Sequence, residues 1–501
     1  MCLTVPTLNK TIHMCDKKFL AAEEKMTCPE SRIMIRSSDG RTNYYRTQIL
    51  AALAVSLGPF AAGLSKGYMS PAIASLQDTK PGGFAVSDQQ ASWIASLSLL
   101  GALFGGVIGG LAMRLGRRSV LLAAALPYTL TWLATALSTG VDMISITSFC
   151  GGMLVSCISM ITQVYVTEIA VPDIRGCLSS VLKILSQIGI LISYSLGAYL
   201  EWHQLALVVA SAPVLLFFAL LFIPETPSSL LLRGKEEEAS SALQWLRGPD
   251  ADVRQELVTI RTNILASKRC HDGGKLKALL SKRLTRPVLI TWGLMFFQRF
   301  TAAHAFNFYA VNWFRKTLRV LSPHGGAIAT SVVQLLASCL SGMLIDHVGR
   351  LPLLLISGAM MSLALAGFGS YAYYQDVILT SSNVDSGSYD WIPLLCVLTL
   401  TIAFSLGISP ISSLLVGELF PLEYRSTGSA LATSFSHFCG FMNVKTAADF
   451  QEHIGLYGLF WLYAGLSVLC LLFVILFVPE TKGREIDEMD PKYVESLCIN
   501  R

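Results

Sequence analysis

Long apolar segments dominate this chain and restrict the folds that it can adopt. About twelve runs are each roughly 20 residues long, which is the length that a helix needs to cross the hydrocarbon core of a bilayer. They lie near 47–69, 89–112, 119–138, 143–167, 177–200, 204–223, 286–312, 324–345, 351–374, 391–416, 426–448 and 455–478. Because the runs are continuously apolar instead of alternating, a β-barrel is excluded. The sequence therefore predicts an all-α membrane protein.

Charged motifs recur half a chain apart, each at the end of an apolar segment. The repeated motifs are Glu168 with Arg175 and Glu418 with Arg425, Pro224-Glu225 and Pro479-Glu480, and Gly116-Arg117 and Gly349-Arg350. Related halves that move against each other around a central site are usual in secondary transporters. The repetition predicts two pseudo-symmetric bundles of six helices. It also indicates a chain that moves a small molecule across a membrane.

The apolar runs and the charged stretches between them divide the chain into predicted domains. We expect a cytosolic N-terminal arm (1–46), a first six-helix bundle (47–223), a cytosolic linker with short helices (224–285), a second six-helix bundle (286–478) and a cytosolic tail (479–501). Most of the 38 lysines and arginines fall on the side that holds both termini. Since positive charge marks the cytosolic side, this pattern predicts a multi-pass plasma-membrane protein with both termini in the cytosol.

Composition narrows the class of function further. Only 14% of the residues are charged, about half the share of a soluble domain. The net charge of +5 follows from the topology and requires no nucleic-acid partner. The spans contain no phosphate loop and no HExxH or GxSxG motif, and the twelve cysteines lack metal-ligand spacing. We therefore expect no enzyme activity, metal or cofactor, and a monomer whose partners are a small-molecule substrate and the lipid bilayer.

Charged residues at the ends of the spans are candidates for a gate. Carboxylates and guanidiniums there can form ion pairs between helices in one transport state and release them in the other. Breaking such a network costs roughly a few kcal/mol, which is enough to bias a two-state equilibrium. The candidate gating residues are Arg114, Arg117, Glu168, Arg175, Glu225, Asp346, Arg350, Glu418, Arg425 and Glu480. The alternative is that these charges only anchor the helices at the membrane surface.

At these motifs the chain resembles the sugar-porter family of the major facilitator superfamily, and within it the insect-type facilitated trehalose and glucose carriers. The resemblance covers roughly residues 45–490 and implies a twelve-helix fold and facilitated sugar transport. Its marks are RLGRR at 114–118, PETP at 224–227, DHVGR at 346–350, GELFP at 417–421 and PETKG at 479–483. One departure is Met113, which replaces an Asp of the family's inner loop motif.

The resemblance also implies a substrate site, where this chain again departs from the family pattern. The family's seventh span carries Gln-Gln-x-x-Gly-x-Asn, whereas this chain has Arg299 at the second Gln and His304 at the Asn. Serines replace the stacking Trp of the tenth span and the Asn of the eleventh. The implied substrate-binding residues are Gln187, Gln298, Arg299, His304, Gln334, Ser413 and Ser436.

Arg299 is the most unusual of these residues. It lies near the middle of the seventh span, where a cation is costly and often marks a transport pathway. Three roles are compatible with it. The guanidinium binds a negative group of the substrate, or it donates hydrogen bonds to a neutral polyol, or it reaches a carbonyl or cavity water without a specific role.

The first span bears on how transport is driven. Residues 47–77 contain no Asp or Glu, so this span lacks a carboxylate that could bind a coupling proton. The favoured hypothesis is a facilitative uniporter of a sugar, such as trehalose or a hexose, that works by alternating access. The alternatives are a carrier of an organic anion or another polyol, and a non-transporting ligand sensor.

Overall fold

All regular secondary structure in the described part of the chain is helical. The computed structural model describes residues 38–78, 86–248, 251–269, 285–319, 321–379, 389, 391–420 and 425–480. The chain divides into two compact units, Met1–Arg46 and Thr47–Arg501. In the first unit, the structure describes residues 38–46, which are helical. All the candidate site residues belong to the second unit.

Six long helices come first, followed by three short ones. They are α1 (Ser38–Gln77), α2 (Asp88–Ala112), α3 (Arg117–Ala136), α4 (Val141–Ile169), α5 (Pro172–Leu196), α6 (Trp202–Leu221), α7 (Pro227–Leu232), α8 (Glu236–Arg247) and α9 (Arg254–Arg269). A 3-10 turn, Met113–Leu115, joins α2 to α3. The three short helices lie within residues 224–285, the segment predicted to be the linker.

The second half repeats the long helices, but several are interrupted. They are α10 (Thr285–Arg299), α11 (Ala302–Thr317), α12 (Pro323–Val348), α13 (Arg350–Tyr373), α14 (Trp391–Ala403), α15 (Ser409–Leu419) and α16 (Arg425–Phe477). A π-helical segment, Phe404–Ile408, joins α14 to α15 just before Pro410, whose missing N–H disrupts the regular helical hydrogen bonds. A second π-helical segment, Tyr374–Leu379, continues α13.

The described helices account for twelve membrane crossings. Ten stretches are long and apolar enough to span a bilayer. One of them, Gly428–Phe477, has 50 residues, more than twice the roughly 20 that a crossing needs. Gly455, with φ of 73°, divides it into two crossings. The pair α10 and α11 adds one more, because each is too short alone. The predicted all-α fold with two sets of six transmembrane helices is thus confirmed in the described residues.

Glycines allow α2 to pack against the backbone of α4. A Cβ atom at Gly105 would overlap the carbonyl oxygen of Met153, and one at Gly152 would overlap that of Ser98. In a bilayer the lipid tails are as apolar as the side chains, so close van der Waals contact between backbones is a main source of helix association. The first bundle therefore depends on small residues along this seam.

Two neighbouring glycines of α2 test this packing. We expect Gly105→Ala to lower the thermal unfolding midpoint, because the added methyl displaces the backbone of α4 at a cost of about 1–3 kcal/mol. Gly106→Ala is the matched control, since the nearest atom to its added Cβ is the Ser156 Oγ at 3.8 Å. The unfolding midpoints of both variants are measured by thermal scanning in detergent. Equal midpoints for the two variants would contradict the packing argument.

Candidate functional site

The repeated charged motifs come together within each half, at one end of the helices that we call the motif end. In the first half, Glu225 accepts hydrogen bonds from three successive backbone N–H groups at the start of α3, at 2.8–3.2 Å. Such a carboxylate satisfies N–H groups that no helical turn can reach, and it complements the helix dipole. Arg117, the first residue of α3, binds Glu168 near the end of α4, with 2.7 Å between Nη2 and Oε1.

The second half contains the same arrangement. Glu480 accepts hydrogen bonds from the backbone N–H groups of Arg350 and Leu351 at the start of α13, at 3.2 and 2.9 Å. The side chain of Arg350 binds Glu418 on α15 at 3.2 Å. Gly116 and Gly349, the residues before the two arginines, both have φ of 105°, which favours glycine. The duplicated motifs therefore form duplicated structures.

The other candidate gating residues lie apart from these ion pairs. Arg175 donates to the carbonyl oxygen of Ala170 at 3.4 Å, and Glu168 is bound by Arg117 instead. Arg114 is exposed. The side chains of Asp346 and Arg425 lie outside the described residues. Both described ion pairs at the motif end join helices of the same half, and the gating role of these residues stays a prediction.

The seventh crossing is broken about midway along its length. Between α10 and α11, Thr301 has extended backbone angles (φ −108°, ψ 148°). The carbonyl oxygens of Arg299 and Thr301 accept hydrogen bonds from the Nδ2 of Asn443, at 2.6 and 3.4 Å. Tyr463 donates to the Oδ1 of Asn443 at 2.7 Å. One amide on α16 thus satisfies backbone groups that the break exposes, as a bilayer interior requires.

The break directs Arg299 toward α16 and α11. Its Nε donates to the Oγ of Ser436 at 2.7 Å, and its Nη1 lies 3.3 Å from the Nε2 of His304. A Cβ added at Gly440 would lie 3.1 Å from His304 and 3.7 Å from Arg299, so α16 needs glycine to pass this close. Three sequence-predicted site residues therefore form one cluster at the broken helix.

The remaining predicted substrate residues lie on the surrounding helices. Gln298 donates from Nε2 to the carbonyl oxygen of Ser409 at 2.8 Å, beside the π-helical segment. Gln334 of α12 is buried, whereas Ser413 of α15 is exposed and donates to the same Ser409 carbonyl oxygen at 3.4 Å. The Oε1 of Gln187 on α5 is buried without a hydrogen-bond partner in the described part of the chain.

Lys66 is a further basic residue near this cluster that the sequence did not predict. Its apolar run was predicted to end at residue 69, which placed this lysine at the membrane surface, but α1 continues to Gln77. Lys66 therefore lies about 17 Å along the helix from that end. Its side chain keeps accessible surface although it lies deep within the protein, and its charge is repelled by that of Arg299. The full length of α1 is the signal that would have identified Lys66 as a residue inside the helix.

The two halves are joined at the end opposite the motif end, which we call the far end. Arg315 on α11 makes two contacts with the carboxylate of Asp78, at 2.7 and 3.2 Å. Asn312 donates to Gln77 at 2.7 Å. Lys445 on α16 donates to Gln89 on α2 at 2.9 Å. These contacts close the far end between the first and second halves.

Two further contacts extend the closure from the far end toward the middle. The backbone N–H of Val311 donates to Ser70 at 3.0 Å, and the hydroxyl of Tyr194 donates to the carbonyl oxygen of Asn307 at 2.9 Å. At the motif end, the ion pairs Arg117–Glu168 and Arg350–Glu418 each lie within one half, and Arg247 of α8 donates to the carbonyl oxygen of Ile169 on α4. The described conformation is therefore closed at the far end.

Asn443 gives a direct test of how the broken helix is supported. We expect Asn443→Ala to lower the stability by about 1–3 kcal/mol, because it leaves two carbonyl oxygens without their donor. Thr446→Ala, one turn away on α16, is the matched control, since its hydroxyl only bonds its own helix. Thermal unfolding midpoints in detergent measure the difference. A midpoint for Asn443→Ala equal to that of the control would show that the amide does not support the break.

Comparison with known proteins agrees with this geometry. The chain is 38% identical over 450 residues to the facilitated trehalose transporter Tret1 of Apis mellifera ligustica, covering 90% of this chain and 88% of that protein. It is 36% identical to the Tret1 of Anopheles gambiae, of which it spans 56%, a little over half its length. The inward-open xylose transporter XylE from E. coli superposes with a TM-score of 0.72 at 23% identity, covering 87% of this chain and 98% of that one.

The match to a family is equally broad. The family described as sugar (and other) transporter matches residues 51–493. That range includes both sets of motif-end ion pairs, the broken seventh crossing and Lys66. This chain therefore belongs to the sugar (and other) transporter family and has the fold of the major facilitator sugar porters.

Proposed function

We propose that this protein is a facilitative sugar carrier that alternates between a state open at the motif end and a state open at the far end. The observation that carries the proposal is a set of mid-membrane amides and hydroxyls around a broken helix between the two halves. Gln187 and Ser436 come from opposite halves, and Gln298 lies at the break. Amides and hydroxyls both donate and accept, as sugar hydroxyls require, and broken helices often form transporter sites.

The names of the relatives support trehalose or a hexose as the cargo. Relatives that are 34–38% identical to this chain are named facilitated trehalose transporters. They do not favour an organic-anion carrier or a ligand sensor. The carrier performs no covalent chemistry, needs no nucleic acid, and works as a monomer because both bundles belong to one chain.

The proposed transport is uncoupled and has a defined orientation. The membrane-spanning residues 47–77 hold no carboxylate for a coupling proton. We place the motif end in the cytosol of a plasma-membrane protein, together with both termini, because the motif-end loops and the linker are rich in arginine and lysine. In that orientation the described conformation faces inward, like the solved transporter to which it is similar.

Uptake by the purified full-length chain in proteoliposomes tests this function. We expect saturable uptake of radiolabelled trehalose or glucose and accelerated exchange against unlabelled sugar inside. Because the first span lacks a titrating carboxylate, an imposed pH gradient should leave the initial rate unchanged. Empty liposomes are the control. Sugar binding without flux would overturn the carrier function, and flux that follows the pH gradient would overturn uncoupled transport.

The far-end ion pair should influence which state the carrier prefers. We expect Asp78→Asn to increase the apparent affinity for external sugar by up to about fivefold, because losing an exposed ion pair worth at most about 1 kcal/mol shifts the population toward the outward-open state. The double charge reversal, Asp78→Arg with Arg315→Asp, should restore the original affinity. Concentration-dependent uptake measures both variants.

Asp142→Asn is the matched control for this prediction. Asp142 is an exposed acid at the same far end, in the first turn of α4, and it belongs to no described ion pair. Its replacement should leave the apparent affinity unchanged. If the Asp78 and Asp142 variants behave alike, the ion pair does not contribute to closing the far end.

A further inference from the structure

Four basic side chains gather around the broken seventh crossing. Lys66 comes from α1, Arg299 ends α10, His304 lies in the first turn of α11, and His437 lies on α16. The Nη1 of Arg299 lies 3.3 Å from His304. The positive charges of Arg299 and Lys66 both act on His304 and on His437. Groups from three separate parts of the chain thus concentrate positive charge beside the break in the seventh crossing.

No carboxylate neutralises this cluster within the described residues. The ion pairs found there join other arginines and lysines to acids at the helix ends and in the linker. The side-chain nitrogens of Arg299 contact only Ser436 and His304, and Lys66 makes no hydrogen bond in the described part of the chain. Holding two like charges together away from bulk water costs free energy unless a negative group lies between or beside them.

A ligand can reach the cluster. Lys66 is exposed, and Arg299 and His437 are only half-buried. Lys66 and Gln187 also lie near the same level, since a Cβ at Gly63 would overlap the backbone of Ser186. The cluster therefore borders the amides of the proposed sugar site instead of occupying a separate, sealed pocket.

We infer that this cationic cluster binds a small inorganic anion beside the sugar. The inference rests on the proposed function for its consequence in transport, but not for binding itself. A bound anion offsets the repulsion between Lys66 and Arg299 and holds both side chains in place. The neutral sugar then meets an ordered Arg299 next to Gln298. The anion acts as a co-ligand of the sugar site, and chloride is the probe.

The test compares chloride with isethionate, a larger anion, at equal ionic strength. For the purified full-length chain, we expect chloride to raise the thermal unfolding midpoint. In proteoliposomes, replacing chloride by isethionate should raise the KM for the transported sugar roughly fivefold, the effect of about one favourable charge contact in a partly hydrated site. Both effects should disappear in Arg299→Gln and in Lys66→Met.

Lys183→Met is the matched control. Lys183 is an exposed lysine of the membrane helix α5, and no described contact joins it to Arg299. This variant should keep the chloride effect. Should Arg299→Gln fail to fold, Lys66→Met alone decides the question.

Three outcomes are decisive. Equal midpoints and equal KM in chloride and isethionate would overturn the anion site. A chloride effect that survives in both Arg299→Gln and Lys66→Met would also overturn it, because the ion would then bind elsewhere. A chloride-dependent midpoint without any sugar flux would support the anion site while refuting the proposed sugar carrier, so the two ideas fail separately.

Discussion

The amide of Asn443 makes the interrupted seventh crossing possible, and the arrangement of the site follows from that interruption. A helix broken in a bilayer leaves carbonyl oxygens that lipid cannot satisfy. Asn443 donates to two of them and is itself held by Tyr463. The break lets Arg299 end one helix and places His304 in the first turn of the next, so that Arg299 contacts both Ser436 and His304. An unbroken helix would place residues five apart on different faces.

The motif-end structures explain how two bundles can move as units. In each half, one glutamate caps the helix that begins with the motif arginine, and that arginine binds a second glutamate on a neighbouring helix. These bonds fix helix ends within a half, and they need not break when the halves separate. The far end differs, because its contacts cross between halves and are partly exposed. Exposed polar contacts are weak, which suits a closure that must open in every cycle.

The sequence predicted the fold well and the site only in part, for physical reasons. Run lengths and repeated motifs predict the number of crossings, because each crossing needs at least about 17–20 apolar residues. Ion pairs cannot be predicted from proximity in sequence. Arg175 is only seven residues from Glu168, yet the Glu168 carboxylate binds Arg117, which lies on the neighbouring helix α3. Nor did the apolar run around residues 47–69 reveal that α1 continues to Gln77, and that extension is what places Lys66 inside the helix, away from its end.

Arg299 and Lys66 are compatible with a neutral cargo at the proposed sugar site if a bound anion offsets their positive charge. The family pattern has amides where this chain has Arg299 and His304, and a guanidinium replaces an amide's donors but not its acceptor. In the proposed sugar site, acceptors for sugar hydroxyls would then come from the side-chain oxygens of Gln187 and Gln298 and from the hydroxyl of Ser436. With an anion bound, Gln187 and Gln298 would select the sugar, and the role of Arg299 and Lys66 would be to hold the anion and order the site.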